Sequence, residues 1–101
     1  MANAMRGEAS LRLSGTEHTL RPTFDALVQA EQEMGSLLAL VDRATENRLT
    51  LAEIAALFWF CLPDRTTIDR EQVGAAVIEL GLVNVTPVLR ALLTQIVKGA
   101  A

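Results

Sequence analysis

The residues that could carry out chemistry are few in this chain, and they are far apart. His18 is the only histidine and Cys61 the only cysteine. Zinc usually takes three or four ligands, and no spacing in the sequence gives His18 a second metal ligand or a catalytic partner. Cys61 lies in an apolar segment, where a cysteine is usually a small buried hydrophobic residue. We therefore predict structural roles for both residues, and no metal or other cofactor.

Four carboxylates follow in the region predicted to be helical, namely Glu31, Glu33, Asp42 and Glu46. Helix surfaces carry such residues routinely, so this pattern favours a solvated face over a catalytic site. The chain has no tyrosine, no Walker-type loop, no G-x-G-x-x-G motif and no serine with a plausible base. We predict that the protein is not an enzyme.

Composition excludes several classes of partner. A chain of 101 residues with half its residues apolar predicts one domain with a compact core. The net charge is −3, and the nine Lys and Arg residues are scattered singly, so neither nucleic acid nor an anionic membrane is expected to bind. The start of the chain lacks the apolar stretch of a signal peptide, and no apolar run approaches the roughly 20 residues that span a bilayer. With a single cysteine, these features favour a soluble, cytoplasmic protein.

The elements that would position these residues begin with a hairpin. Residues 1–6 are expected to be a flexible leader, and residues 7–98 a single domain. Residues 8–21 alternate with period two around a Ser14-Gly15 turn, which predicts a β-hairpin over 7–21. One register pairs Leu13 with Thr16, Leu11 with His18, Ala9 with Leu20, Arg12 with Glu17, Ser10 with Thr19 and Glu8 with Arg21. This register gathers an apolar face, two opposite-charge pairs and a hydroxyl pair, and each such pair is worth ~0.2–1 kcal/mol.

Residues 23–98 predict about five short helices, which makes the fold α+β, mostly α, with the hairpin packed on a helical bundle. Capping residues set the expected starts at Thr23, Ser36, Thr50, Asp69 and the Thr86-Pro87 pair. Gly35, Gly81 and Gly99 are the expected stops. Phe24 and Leu38 are among the apolar positions expected on the inner faces of the first two helices. On the fifth helix the inner positions are Leu89, Leu92, Leu93, Ile96 and Val97.

The third helix carries the most distinctive stretch of the chain. Nine consecutive residues, IAALFWFCL from Ile54 to Leu62, have no polar side chain beyond the indole of tryptophan. Leu57 and Phe60 are predicted to point away from the main core stripe, and Trp59 lies on a flank. Two interpretations stay open for these three residues. They are buried against the hairpin or the last helix, or they form an exposed anchor for a partner, because aromatic residues are common interface anchors.

Several blocks of sequence, in this order, resemble a known family. The most distinctive is TLRPTF, from Thr19 to Phe24, followed by an acidic helix that ends at Gly35. The other matching blocks are Arg6-Gly7-Glu8, Ala30-Glu31, Arg48-Leu49-Thr50, the Leu/Ala/Trp-rich helix through Trp59, Glu71-Gln72-Val73-Gly74 and Leu80-Gly81-Leu82. Together they resemble the small tail proteins of gene transfer agents and related prophages of alpha-proteobacteria. That family is grouped with phage tail assembly chaperones and is sometimes labelled tail tube protein.

The resemblance implies a chaperone that binds the helical tape-measure protein and keeps it soluble until tail tube subunits polymerise around it. Tube subunits and a second copy of the chain are further candidate partners. We expect a tape-measure helix to lie against Leu57, Trp59 and Phe60. One alternative is a structural tube component, which a single short hairpin supports poorly. Another is a small helical DNA-binding regulator, which the two cations of the fifth helix, Arg90 and Lys98, disfavour.

Overall fold

A two-stranded hairpin followed by five helices makes up the computed structural model, which describes residues 9–98. The strands are β1 (Ala9–Leu13) and β2 (Thr16–Leu20), and the helices are α1 (Phe24–Met34), α2 (Leu37–Thr45), α3 (Leu51–Phe60), α4 (Arg70–Leu80) and α5 (Leu82–Lys98). The predicted fold class is confirmed. The expected leader, the Glu8–Arg21 pair and the stop at Gly99 lie outside the described residues.

The hairpin forms in the predicted register. Leu13 pairs with Thr16 and Ala9 with Leu20, with the three predicted pairs between them also present. Ser14 and Gly15 both have positive φ, 50° and 79°, as a two-residue type I′ turn requires. The apolar face of the hairpin is buried, and β1 packs on α4 and α5. A two-stranded hairpin is marginal alone, so this packing is what holds it in place.

Side-chain caps start the first four helices at the predicted residues. The hydroxyls of Thr23 and Ser36 accept N–H bonds from residues three positions on, at 3.2 and 3.3 Å. Thr50 with Glu53, and Asp69 with Gln72, form reciprocal capping boxes. Each cap satisfies N–H groups that a helix start would otherwise leave without partners.

The fifth helix begins at Leu82, five residues earlier than the first helical position predicted at Pro87. Gly81, with φ of 86°, ends α4, and its carbonyl accepts the N–H groups of Asn84 and Val85 at 3.1 Å, which starts α5. One residue therefore joins two helices that are bent by 120°. Thr86 does not cap, because its hydroxyl donates to the Leu82 carbonyl at 2.7 Å within the helix. Pro87 lies inside α5 and removes one helical N–H donor.

α3 lies at the centre of the core, between α1 and α4. Phe58 is fully buried there, and the Arg21 N–H donates to the Cys61 carbonyl at 2.8 Å, tying the end of the hairpin to the end of this helix. Among the predicted inner positions, Val97 at the end of α5 is wrong, being 59% exposed. Phe24 and Leu38 are wrong as well, being 85% and 80% exposed. Both lie in the first turn of a helix, where Ala26 and Leu40 are the residues that turn inward.

Within residues 9–98 no single helix is both long and apolar enough to cross a membrane. α4 and α5 reach the required length and composition only when taken together across their 120° bend.

Candidate functional site

The three residues predicted to bind a partner, Leu57, Trp59 and Phe60, do not form an exposed anchor on the surface. Leu57 is fully buried and Phe60 is 6% exposed, so both lie inside the folded chain although they lie off the main core stripe of α3. α3 has neighbours on several sides, and these cover the positions that lie away from its main stripe. Burial, the first of the two interpretations, describes the folded chain. A partner role for these residues would require them to leave the core, and that role stays a prediction.

Trp59 is half-buried and holds the loop between α3 and α4. Its indole Nε1 donates to the Ile68 carbonyl at 2.8 Å. The guanidinium carbons of Arg65 and Arg70 lie 5.1 and 4.8 Å from its ring centroid, within the range of a cation–π contact. The Phe60 ring meets it edge-on at 5.1 Å between centroids. These contacts are internal to the chain, so Trp59 acts here as a structural clamp.

The residues singled out for chemistry form no shared centre. His18 stands on the hairpin opposite Leu11, while Cys61 is buried at the end of α3. Burial raises the pKa of the Cys61 thiol to about 12, which keeps it protonated and unreactive. Among residues 9–98 no group of three or more His, Cys, Asp or Glu side chains is arranged to hold a metal ion.

The acidic residues have local structural contacts. Glu31 accepts the N–H of Leu37 at 3.0 Å, at the start of α2. Glu33 receives two hydrogen bonds from the Arg70 guanidinium, which joins the end of α1 to the start of α4. The hydrogen bond from Arg70 is the main cause that lowers the Glu33 pKa below its usual value. Glu46 lies 3.8 Å from Arg48, a loose surface pair.

An apolar groove runs between α5 and the end of α2, and we take it as the candidate site. Two adjoining cavities of about 400 and 250 Å³ form it, and they share Ala44, Asn47, Arg90 and Leu93 as lining residues. The remaining lining residues are Val41, Thr45, Leu49, Ile54, Leu82, Thr86, Leu89, Thr94, Val97 and Lys98. We call this surface the α2–α5 groove.

α5 supplies one wall of the α2–α5 groove because it is apolar on two sides. Val85 and Leu92 are buried in the core, whereas Leu89 and Leu93 are half-buried and face the groove. Val97, at the end of the same side, is 59% exposed. Leu82, at the other end of the groove, is 56% exposed. An exposed apolar surface of this kind is typical of binding sites for proteins or ligands.

The other wall comes from the C-terminal half of α2 and the turn that follows it. Val41 and Ala44 are half-buried, and Asn47 adopts positive φ (58°) at the helix end. The Asn47 and Arg48 N–H groups donate to the carbonyls of Ala44 and Arg43, which closes α2 as a left-handed C-terminal cap. This turn then leads through Leu49 to α3. The groove wall is therefore fixed by backbone hydrogen bonds.

Sequence reasoning found Leu89, Leu93 and Val97 but assigned them to the core. The signal that distinguishes them is the width of the apolar stripe, since Leu89, Leu92, Leu93, Ile96 and Val97 cover more of the helix than one neighbour can bury. The partner wall on α2 has no such signal. It comes next to α5 only through the packing of the whole domain.

The fold is a small, mostly helical one, and its α2–α5 groove is an open and mainly apolar surface. A family model described as "Phage tail tube protein, GTA-gp10" matches residues 6–99. The chain therefore belongs to this family of phage tail proteins, and the resemblance to gene transfer agent and prophage tail proteins is confirmed. Neither the search of curated proteins nor that of solved structures gave a significant match.

Proposed function

We propose that this protein is a tail assembly chaperone that binds the helical tape-measure protein and keeps it soluble until the tail tube polymerises. The single observation that carries this proposal is the α2–α5 groove, an open apolar channel along a helix of 17 residues. Helix-in-groove binding is a common way to recognise an amphipathic helix. Membership of a phage tail family supplies the setting.

The proposed role is non-catalytic and is exercised in the cytoplasm, before the tail is complete. Among residues 9–98 the Cys61 thiol is the only ionisable side chain that is deeply buried, and its high pKa suits a core residue better than a nucleophile. A chaperone needs an apolar binding surface and a soluble exterior. The α2–α5 groove would supply the first and the charged surface the second.

A structural tube subunit is the second candidate, favoured by the description of the matching family. Such a subunit must join its neighbours into rings, commonly through extended strands. The sheet in the described residues has two strands of five residues each. This small sheet supports the chaperone more than the tube subunit.

Co-expression with the tape-measure protein of the same phage-like element tests the proposal. We expect the tape measure to be insoluble alone and to be captured as a soluble complex when this protein is present. Light scattering of the captured material gives the stoichiometry. If no complex forms and the protein assembles alone into rings or tubes, the chaperone proposal is wrong and the tube subunit is correct.

A further inference from the structure

We propose that the α2–α5 groove binds an amphipathic helix that carries carboxylates on the flank facing α5. The apolar face of the bound helix covers Leu89, Leu93 and Val97, and its carboxylates pair with Arg90 and Lys98. This inference rests on the proposed function and specifies the chemistry of the segment that is bound.

The dimensions of the groove fit a helix. It follows α5 from Leu82 to Val97, and at 1.5 Å per residue this distance is about 22 Å. A partner helix of about 15 residues, or four turns, has the same length. The lining on both walls is mainly aliphatic, so the partner must present apolar residues at helical spacing.

The positive charge of the α5 wall determines which residues the bound helix should carry on the flank that faces α5. α5 is the only one of the five helices without an Asp or Glu, although the chain as a whole has a net charge of −3. Arg90 and Lys98 both line the groove and are exposed, and neither forms an ion pair with another residue of the range 9–98. Two unpaired cations beside an apolar channel favour a helix with acidic residues at the matching edge.

The same charges disfavour a second copy of α5 as the occupant. An identical helix in the groove would bring Arg90 and Lys98 of one copy near those of the other, with no acidic residue on either helix to pair with them. Like charges at an interface weaken binding to the wrong partner.

Two synthetic peptides of 15 residues test the charge selection on the full chain. They share leucines at helical spacing and differ only in their flanking residues, Glu in one and Lys in the other. Fluorescence anisotropy at low salt should show the Glu peptide binding about 5-fold tighter or more, with the difference shrinking at high salt because surface charges are then screened. Equal affinity for the two peptides, or no binding of either, would overturn the inference.

Variants assign the preference to the two cations. R90E/K98E should prefer the Lys peptide, which reverses the wild-type order. R90Q should lose part of the preference, whereas R12Q, the matched neutralisation on the exposed face of the hairpin, should keep all of it. An unchanged preference in R90E/K98E would show that the cations do not select the partner.

Filling the groove tests the location. Thr94 lines the groove and is exposed, so T94W should fold normally and bind the Glu peptide at least about 10-fold more weakly. I78W, at a 62% exposed position of α4 outside the groove lining, is the control and should bind as wild type does. Full binding by T94W would place the peptide elsewhere and refute the inference.

The tape-measure capture separates this inference from the proposed function. If R90E/K98E and T94W still capture the tape measure as well as wild type does, the chaperone role stands and the groove assignment fails. If the Glu peptide binds as expected but the tape measure is not captured, the groove assignment stands and the chaperone role fails.

Discussion

The indole N–H of Trp59 donates to the backbone carbonyl of Ile68 across nine residues of chain, at 2.8 Å. This bond spans the whole α3–α4 loop and places the start of α4 relative to the end of α3. Within the loop, Asp64 also accepts from both the N–H and the hydroxyl of Thr66, and Arg65 lies over the Trp59 ring. Trp59 is therefore the main anchor of this segment.

Trp59→Phe keeps an aromatic ring but removes this donor. We expect a loss of about 1 kcal/mol in the free energy of unfolding, because a partly buried carbonyl then lacks its partner. Urea denaturation measures the loss. Amide hydrogen exchange should show faster exchange confined to residues 63–69, and unchanged exchange there would mean that the indole does not hold the loop.

The two phenylalanines at opposite extremes of exposure give a matched test of the core. Phe58→Ala should cost about 3–5 kcal/mol, since it removes a fully buried ring and leaves a cavity. Phe24→Ala, at an 85% exposed position, should change the free energy of unfolding by less than about 0.5 kcal/mol. Phe58→Leu is the milder variant if the alanine form does not fold. Similar losses at both positions would contradict the placement of α3 at the centre.

We expect replacement of glycine by alanine to have opposite effects on stability at Gly74 and at Gly81. Apart from the chain neighbours and, for Gly74, the backbone of its own helix, no atom lies within 4 Å of where a Cβ would be at either position, so the rest of the fold leaves room for one. Gly74→Ala, in the interior of α4, should stabilise the protein by about 0.5–1 kcal/mol. Gly81→Ala should destabilise it by about 1–3 kcal/mol, because its φ of 86° and ψ of 145° are nearly restricted to glycine. Thermal unfolding of the two variants beside wild type gives the signs directly.

The buried thiol of Cys61 can report unfolding, because a thiol reagent should label it only when the chain unfolds. Its pKa of about 12 in the folded chain means that almost no thiolate exists at pH 8, and the side chain is shielded as well. We expect negligible labelling by a thiol reagent in buffer and one labelled thiol per chain in urea. Rapid labelling of the native protein would show that the end of α3 opens easily.

Because the pKa of Cys61 is raised in the folded chain, the stability of the fold should depend on pH in the alkaline range. The folded value lies above the ordinary value of 9.0, so the unfolded chain ionises first as the pH rises. The contribution of this group to stability is full below about pH 9 and is lost between 9 and 12. Cys61→Ala should flatten that part of the stability curve relative to wild type.

Local signals in the sequence were sufficient where the structure depends on neighbours along the chain. The hairpin register follows from a two-residue turn and its cross-strand pairs, and the starts of α1 to α4 follow from their capping residues. The predicted start of α5 was wrong. The Thr86-Pro87 pair fits a helix start, but the first helical hydrogen bonds of α5 are already made to the carbonyl of Gly81. Backbone geometry at one glycine decided this, and the sequence pattern does not contain it.

The positions of Leu57 and Phe60 show where sequence reasoning reached its limit. A helix that is apolar on nearly every side does not indicate which side meets the partner and which meets its own chain. α3 is covered by α1, α4 and the loop held by Trp59, and these come together only in the assembled domain. The α2–α5 groove depends in the same way on two elements separated by about forty residues.

β1 packs against α5, although α1 to α4 lie between them in the sequence. This part of the core therefore cannot close during synthesis until α5 has left the ribosome. The same helix forms one wall of the α2–α5 groove. A nascent chain that lacks α5 consequently cannot form the groove, so the groove and the contact between β1 and α5 both depend on the synthesis of this one helix.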